Sequence, residues 1–171
     1  MENVAEYAKL LEILSTRFDG AEFGKKVTQK MFYFFCRKGM PLNLRYGIHY
    51  YGPYSQKLDT ILHVLESYDY ININTAGRTH VISLGSHKVD DTALDINQTR
   101  IAEQVISEFA HKSPYELEAL ATMDYVANSI LPKGSSDKKI IEKFTEIKGN
   151  KFPPEMIQTT IQELRSLQYI A

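Results

Sequence analysis

Between Val27 and Cys36 the chain reads VTQKMFYFFC, and the last six of those residues are apolar or aromatic without interruption. A segment this apolar has to be covered on nearly every side. Phe23, Val27, Met31, Phe34 and Phe35 recur at helical spacing, and Phe32 and Tyr33 widen the arc, so the segment is expected to be a helix at the centre of the molecule. Gly39 and Pro41 in RKGMP supply its stop signals. In DGAE, Asp19 stands three residues before Glu22, the spacing of a capping box, and places the helix start there.

The remaining elements are read around that helix. Val4, Tyr7, Ala8, Leu11 and Leu14 predict a first helix from Asn3 to Phe18 with Asn3 as cap. Arg45 to Tyr51 alternates as a short strand, with Tyr46, Ile48 and Tyr50 on one face and His49 and Tyr51 on the other. Gly52-Pro53 ends it, and proline suits the first turn of a third helix running to about Ser67, with Leu58, Ile61, Leu62 and Leu65 inside. YININT and THVISLG, joined by AGR, read as a β-hairpin. Helix, helix, strand, helix, hairpin is the order of a winged-helix-like unit over residues 1–86.

Past the polar SHKVDDTALD, the pattern over 96–171 is helical. Asn97 to Ala110 forms one helix. Ser113 as cap, Pro114 and Glu116 begin the next, which reaches about Ile130; Ser136 or Asp137 opens a third that ends at Gly149, and a last one follows Pro153-Pro154. The expected class is α+β, mostly α, with the two regions packed as one compact protein. DTILHVLESYDYI (59–71) also echoes QTTIQELRSLQYI (158–170), each read as a helix passing into a strand, a match that convergent amphipathic helix ends largely explain.

With 171 residues and 43% hydrophobic content, the chain can bury a core without disulfides or metals. Its lone Cys36, inside the apolar run, reads as a buried thiol. The start, MENVAEYAKLLEIL, lacks the features of a secretory signal, and no stretch reaches transmembrane length, so a cytoplasmic location without membrane contact is expected. A net charge of −1 excludes a global basic field. Locally, Gly24 to Arg45 carries six cations and no acid, which suits either a solvated helix face or a surface for a polyanion or an acidic partner.

No pattern of catalytic chemistry emerges. GAEFGKK is too short between its glycines for a phosphate loop, and it follows a helix. Five scattered histidines and one cysteine match no metal spacing. The expectation is a non-enzyme with no catalytic residue, metal site or cofactor. The densest feature is RYGIHYYGPYSQKL (45–58), with four tyrosines. Some must pack on the core, and exposed tyrosine beside cations is a composition favoured at protein interfaces. Lys25, Lys26, Lys30, Arg45, His49, Tyr51 and Tyr54 are therefore the expected residues for a protein partner. The alternative is a winged-helix DNA-binding regulator reading with Gln56, Lys57 and Thr60, using Arg78 on the wing and dimerising through the C-terminal helices. The third helix carries one fixed cation and two acids on its outer face, thin provision for phosphates.

GKKVTQKMFYFF followed by IHYYGPYSQKL resembles the YwgA-like family of small bacterial proteins, in which a helix of the form G-[KR]-K…Q-K-[ML]-x-Y precedes a strand-to-helix turn FHFYGPYSxxL. More distantly it is similar to the SocA-like, or Panacea, antitoxin domain. The resemblance implies a winged-helix-like fold and a regulatory, antitoxin or defence-type binding role, with no reaction attached.

Overall fold

Nine consecutive residues of the central helix, Val27 to Phe35, are buried, as a segment apolar on all sides requires. The computed structural model describes residues 3–20 and 22–171. In chain order it contains α1 (Val4–Ser15), α2 (Lys25–Arg37), β1 (Gly47–His49), β2 (Gly52–Tyr54), α3 (Gln56–Ser67), β3 (Ile71–Asn74) and β4 (Val81–Leu84). These are followed by α4 (Ile96–Phe109), α5 (Pro114–Tyr125), a π-helical stretch Val126–Ile130, α6 (Asp137–Lys148) and α7 (Pro154–Ser166). The class is α+β, mostly α. Helix α2 packs on α4, α5 and β2, and α5 on α2, β2, α6 and α7. The buried side chains, from Tyr7 to Ile170, join in one cluster.

Helix α2 starts five residues later than the Asp19 cap predicts. Its N-cap is Gly24, and Asp19 instead accepts the Glu22 and Phe23 amides through its main-chain carbonyl. The physical cause is competition for the backbone. The Ile82 amide donates to the Phe23 carbonyl and the Lys25 amide to the His80 carbonyl, so residues 23–25 are drawn into bridging with β4. Strand-like pairing there excludes a helical turn. Asn3 does occupy the N-cap position of α1, but its side chain makes no capping bond.

The second correction concerns residues 45–55. The expected single strand is a hairpin: β1 pairs antiparallel with β2, His49 opposite Gly52, around a turn at Tyr50-Tyr51. Gly52 has φ +93, a left-handed conformation that reverses the chain and favours glycine. Pro53 therefore lies in a strand, and α3 begins three residues on, where the Ser55 hydroxyl accepts the Leu58 amide. Ser55 is a buried cap. The β3–β4 hairpin forms as read, with Ile71 opposite Leu84 and Asn74 opposite Val81.

Local capping signals locate the C-terminal helices. Ser113 and Glu116 form a reciprocal capping box around Pro114, Asp95 and Gln98 form another, and Ser136 caps α6. The internal echo is a shared helix ending. Asp69 (φ 62) and Gln168 (φ 64) are left-handed residues at equivalent places. Tyr70 N–H donates to the Leu65 carbonyl and Tyr169 N–H to the Leu164 carbonyl, the pattern of a Schellman motif. Only the first copy passes into a strand; after Gln168 none forms.

Candidate functional site

Helix α5 is buried around most of its circumference, and at its middle stands Glu118, fully buried. A lone carboxylate there would be prohibitively costly. Three lysines from three places answer it: Lys148 of α6 and Lys151 just beyond each donate to Oε1 at 2.7 Å, and Lys26 of α2 lies 2.7 Å from Oε2. Burial pushes the Glu118 carboxyl up, but the hydrogen bonds from Lys148, Lys151 and Lys26 outweigh it and hold the group at about 2.

These lysines also fix the tyrosine turn. Lys148 Nζ donates to the Tyr50 carbonyl at 2.9 Å. Lys26 sits 4.6 Å from the Tyr51 ring centroid, and Lys151 lies 4.9 Å from Tyr51 and 5.5 Å from Tyr50. The two rings meet edge to face at 4.8 Å. Yet Tyr50 is 81% exposed and Tyr51 52%. Large aromatic surface is thus held in place and left uncovered.

Beneath the turn, Gln29 clamps the chain before α3, its amide donating to the Ser55 carbonyl (2.9 Å) and its oxygen accepting the Ser55 amide (2.8 Å). Lys30, only 2% exposed, donates to the Pro53 carbonyl at 2.7 Å. Desolvation lowers its ammonium to about 7; Glu118 opposes the shift, while Lys26, Lys148 and Lys151 add to it. Between α2, the turn and the β3–β4 hairpin opens a cavity of about 530 Å³, bordered by Lys25, Lys26, Lys30, Tyr51, Tyr54 and Arg78.

Six of the residues singled out from the sequence therefore meet at one cavity. His49 stands beside it, its ring 4.7 Å from that of Tyr54. Arg45 is exposed and does not border the cavity. Gln56, Lys57 and Thr60 lie on α3 outside it, with Lys57 Nζ bonded to the Asn43 carbonyl (3.0 Å) and the Thr60 hydroxyl to the Gln56 carbonyl (3.1 Å). Lys25 is paired with Asp59 at 3.0 Å. Asp59 serves Lys25, and Glu66 accepts the Ile73 amide at 3.0 Å. Sequence reasoning missed Glu118, Lys148 and Lys151. The available signal was an acid at the second place of LEALATM, a stretch otherwise apolar but for Thr122.

A second buried carboxylate, Asp124, receives the Tyr33 hydroxyl (2.5 Å), the Arg37 guanidinium (2.7 Å) and the Asn128 amide (3.0 Å). Arg37 also donates to the Tyr169 carbonyl at 2.9 Å. This arrangement joins α2, α5 and the end of the chain, and its groups are spent on one another. Burial raises the Cys36 thiol to about 11, which removes its thiolate at neutral pH. Among the described residues, no group of three or more His, Cys, Asp or Glu is placed to hold a metal ion, and no helix is long and apolar enough to cross a membrane.

No family model matches the chain. It is similar to the uncharacterized protein YwgA of Bacillus subtilis (strain 168), 27% identical over an alignment 173 positions long that covers 96% of this chain and 98% of the relative. That likeness extends the YwgA-like resemblance of Gly24–Leu58 to nearly the whole length, and it lends the SocA-like resemblance no support.

Proposed function

We propose that this chain is a cytoplasmic, non-enzymatic binding module of YwgA-like kind, with a winged-helix-like N-terminal half, that engages a protein partner through the Tyr50-Tyr51 turn and the lysines under it. The observation that carries the reading is the contrast at the turn: the backbone is anchored to a buried ion cluster while two aromatic rings stay in solvent. A rigid exposed tyrosine loses little entropy on association and buries much area. The cations beside it orient an acidic partner. A regulatory or antitoxin-like role is one such use.

DNA reading finds less support. Lys57 and Thr60 are spent on main-chain carbonyls, and α3 presents Asp59 and Glu66 among its outward groups. Co-purification from the native host after nuclease treatment tests the choice. A protein retained by the wild-type chain and released by a folded Tyr50→Ala/Tyr51→Ala variant supports the proposal. Nucleic acid retained without nuclease, lost steeply with salt and weakened by Lys57→Ala, would replace it with the DNA regulator.

A further inference from the structure

The cavity beside the turn raises a question that a docking surface leaves open. Its border gathers Lys25, Lys26, Lys30 and Arg78, and the acid among the bordering residues is Glu22. Lys25 is neutralised by Asp59. Lys26 shares the single charge of Glu118 with Lys148 and Lys151, so that group of four carries an excess of two positive charges (three minus one). Arg78 makes no ion pair among the described residues, and it is exposed while bordering the cavity.

Lys30 is the more telling group. An ammonium has three protons to donate, and among the described residues Lys30 has one acceptor, the Pro53 carbonyl, and no carboxylate within ion-pair distance. A buried lysine in that state lacks a counter-charge. The remaining border sets apolar and aromatic surface, Val27, Tyr51, Tyr54 and Pro114, beside the polar Gln29, Thr79 and His80. The volume is that of a small-molecule site.

We propose that this cavity binds a small organic anion, a carboxylate or phosphate on an apolar body, with the anionic end toward Lys30, Lys26 and Arg78 and the body against Tyr51, Tyr54 and Val27. The cavity shares Tyr51 and Lys26 with the docking reading, whereas Tyr50, the most exposed ring of the turn, does not border it. In the free cavity desolvation lowers the Lys30 ammonium to about 7, with the attraction of Glu118 opposing the shift and the repulsion of Lys26, Lys148 and Lys151 adding to it. A bound anion adds to the attraction, so binding takes up a proton above neutrality.

Calorimetry and ligand-detected NMR with phenylacetate, phenyl phosphate and uncharged phenylacetamide test the site. At least one anion binds, and the amide binds about tenfold more weakly or worse, as expected for a lost charge-assisted bond. At roughly pH 8, titrations in buffers of different ionisation heat reveal proton uptake. Lys30→Met abolishes that uptake and weakens the anion about tenfold. Arg78→Ala, at an exposed position that leaves folding intact, weakens it several-fold, whereas Lys57→Ala outside the cavity changes nothing. Equal binding of amide and acids, no binding of either acid at millimolar concentration, absence of proton uptake by the wild type, or insensitivity to Arg78→Ala would each overturn the proposal. None of these outcomes depends on whether Tyr50 and Tyr51 hold a protein.

Discussion

Lys148 meets Glu118 at 2.7 Å in an ion pair whose two members are both almost sealed from solvent, and the same ammonium holds the Tyr50 carbonyl at 2.9 Å. The turn that offers tyrosines to solvent is therefore fastened to a charge at the centre of α5. Chemistry at the surface and stability in the interior share one side chain.

Removing the carboxylate should be severe. Glu118→Gln leaves Lys26, Lys148 and Lys151 without an anion, and breaking a buried pair by deleting one partner costs about 3–5 kcal/mol. Urea unfolding of the variant should show a loss of about that size. A midpoint equal to wild type would mean that the three lysines find other acceptors.

Stability should depend on pH at both ends of the range. The folded Glu118 sits at about 2 against an ordinary 4.5, so its contribution is complete above about 4.5 and is lost as pH falls toward 2. Lys30 acts in the opposite sense. Its folded value of about 7 lies below the ordinary 10.5, so between those values the unfolded chain binds more protons, and stability from this residue rises with pH across the window. Unfolding midpoints measured between roughly pH 6 and 10 should rise for the wild type and flatten in Lys30→Met, the difference amounting to a few kcal/mol at most.

The paired helix endings should accept glycine. Asp69 and Gln168 hold left-handed backbone that costs an ordinary residue about 1 kcal/mol relative to glycine. Asp69→Gly and Gln168→Gly should each raise stability by roughly 0.5–1 kcal/mol, and the two should add. Calorimetric melting of the single and double variants checks this.

Glycine at the tyrosine turn is a different case. A Cβ on Gly52 would come within 2.5 Å of the buried Thr122 hydroxyl, on backbone already at φ +93, whereas one on Gly47 meets nothing within 4 Å. Gly52→Ala should cost about 2–3 kcal/mol in chemical unfolding, and Gly47→Ala less than about 1.

Signals that act within four residues were readable in the chain. The Ser113-Pro114-Glu116 box, the Ser136 cap and the Gly149 ending stand where the local pattern put them, because each is complete in itself. The start of α2 was misread for the complementary reason: Asp19 and Glu22 have the right spacing, but β4, some sixty residues away in the sequence, claims the backbone at Phe23 and Lys25. Likewise Pro53 suits a helix start until Gly52 turns the chain and β1 takes it as a strand partner. The cation run of α2 was visible as charge, whereas Glu118 and its two later lysines come together only through tertiary packing.

The Tyr50 carbonyl and its anchor, Lys148, are separated by 98 positions along the chain. At a synthesis rate of about 5–20 residues per second, the turn waits roughly 5–20 seconds on the ribosome before its fastening exists. During that interval the aromatic loop has no fixed geometry, and Glu118 emerges with only Lys26 to meet it. Premature termination ahead of α6 therefore yields a product with an unfastened loop and a poorly compensated buried acid, a ready substrate for degradation. Only a chain that extends past Lys148 can display the tyrosines in register.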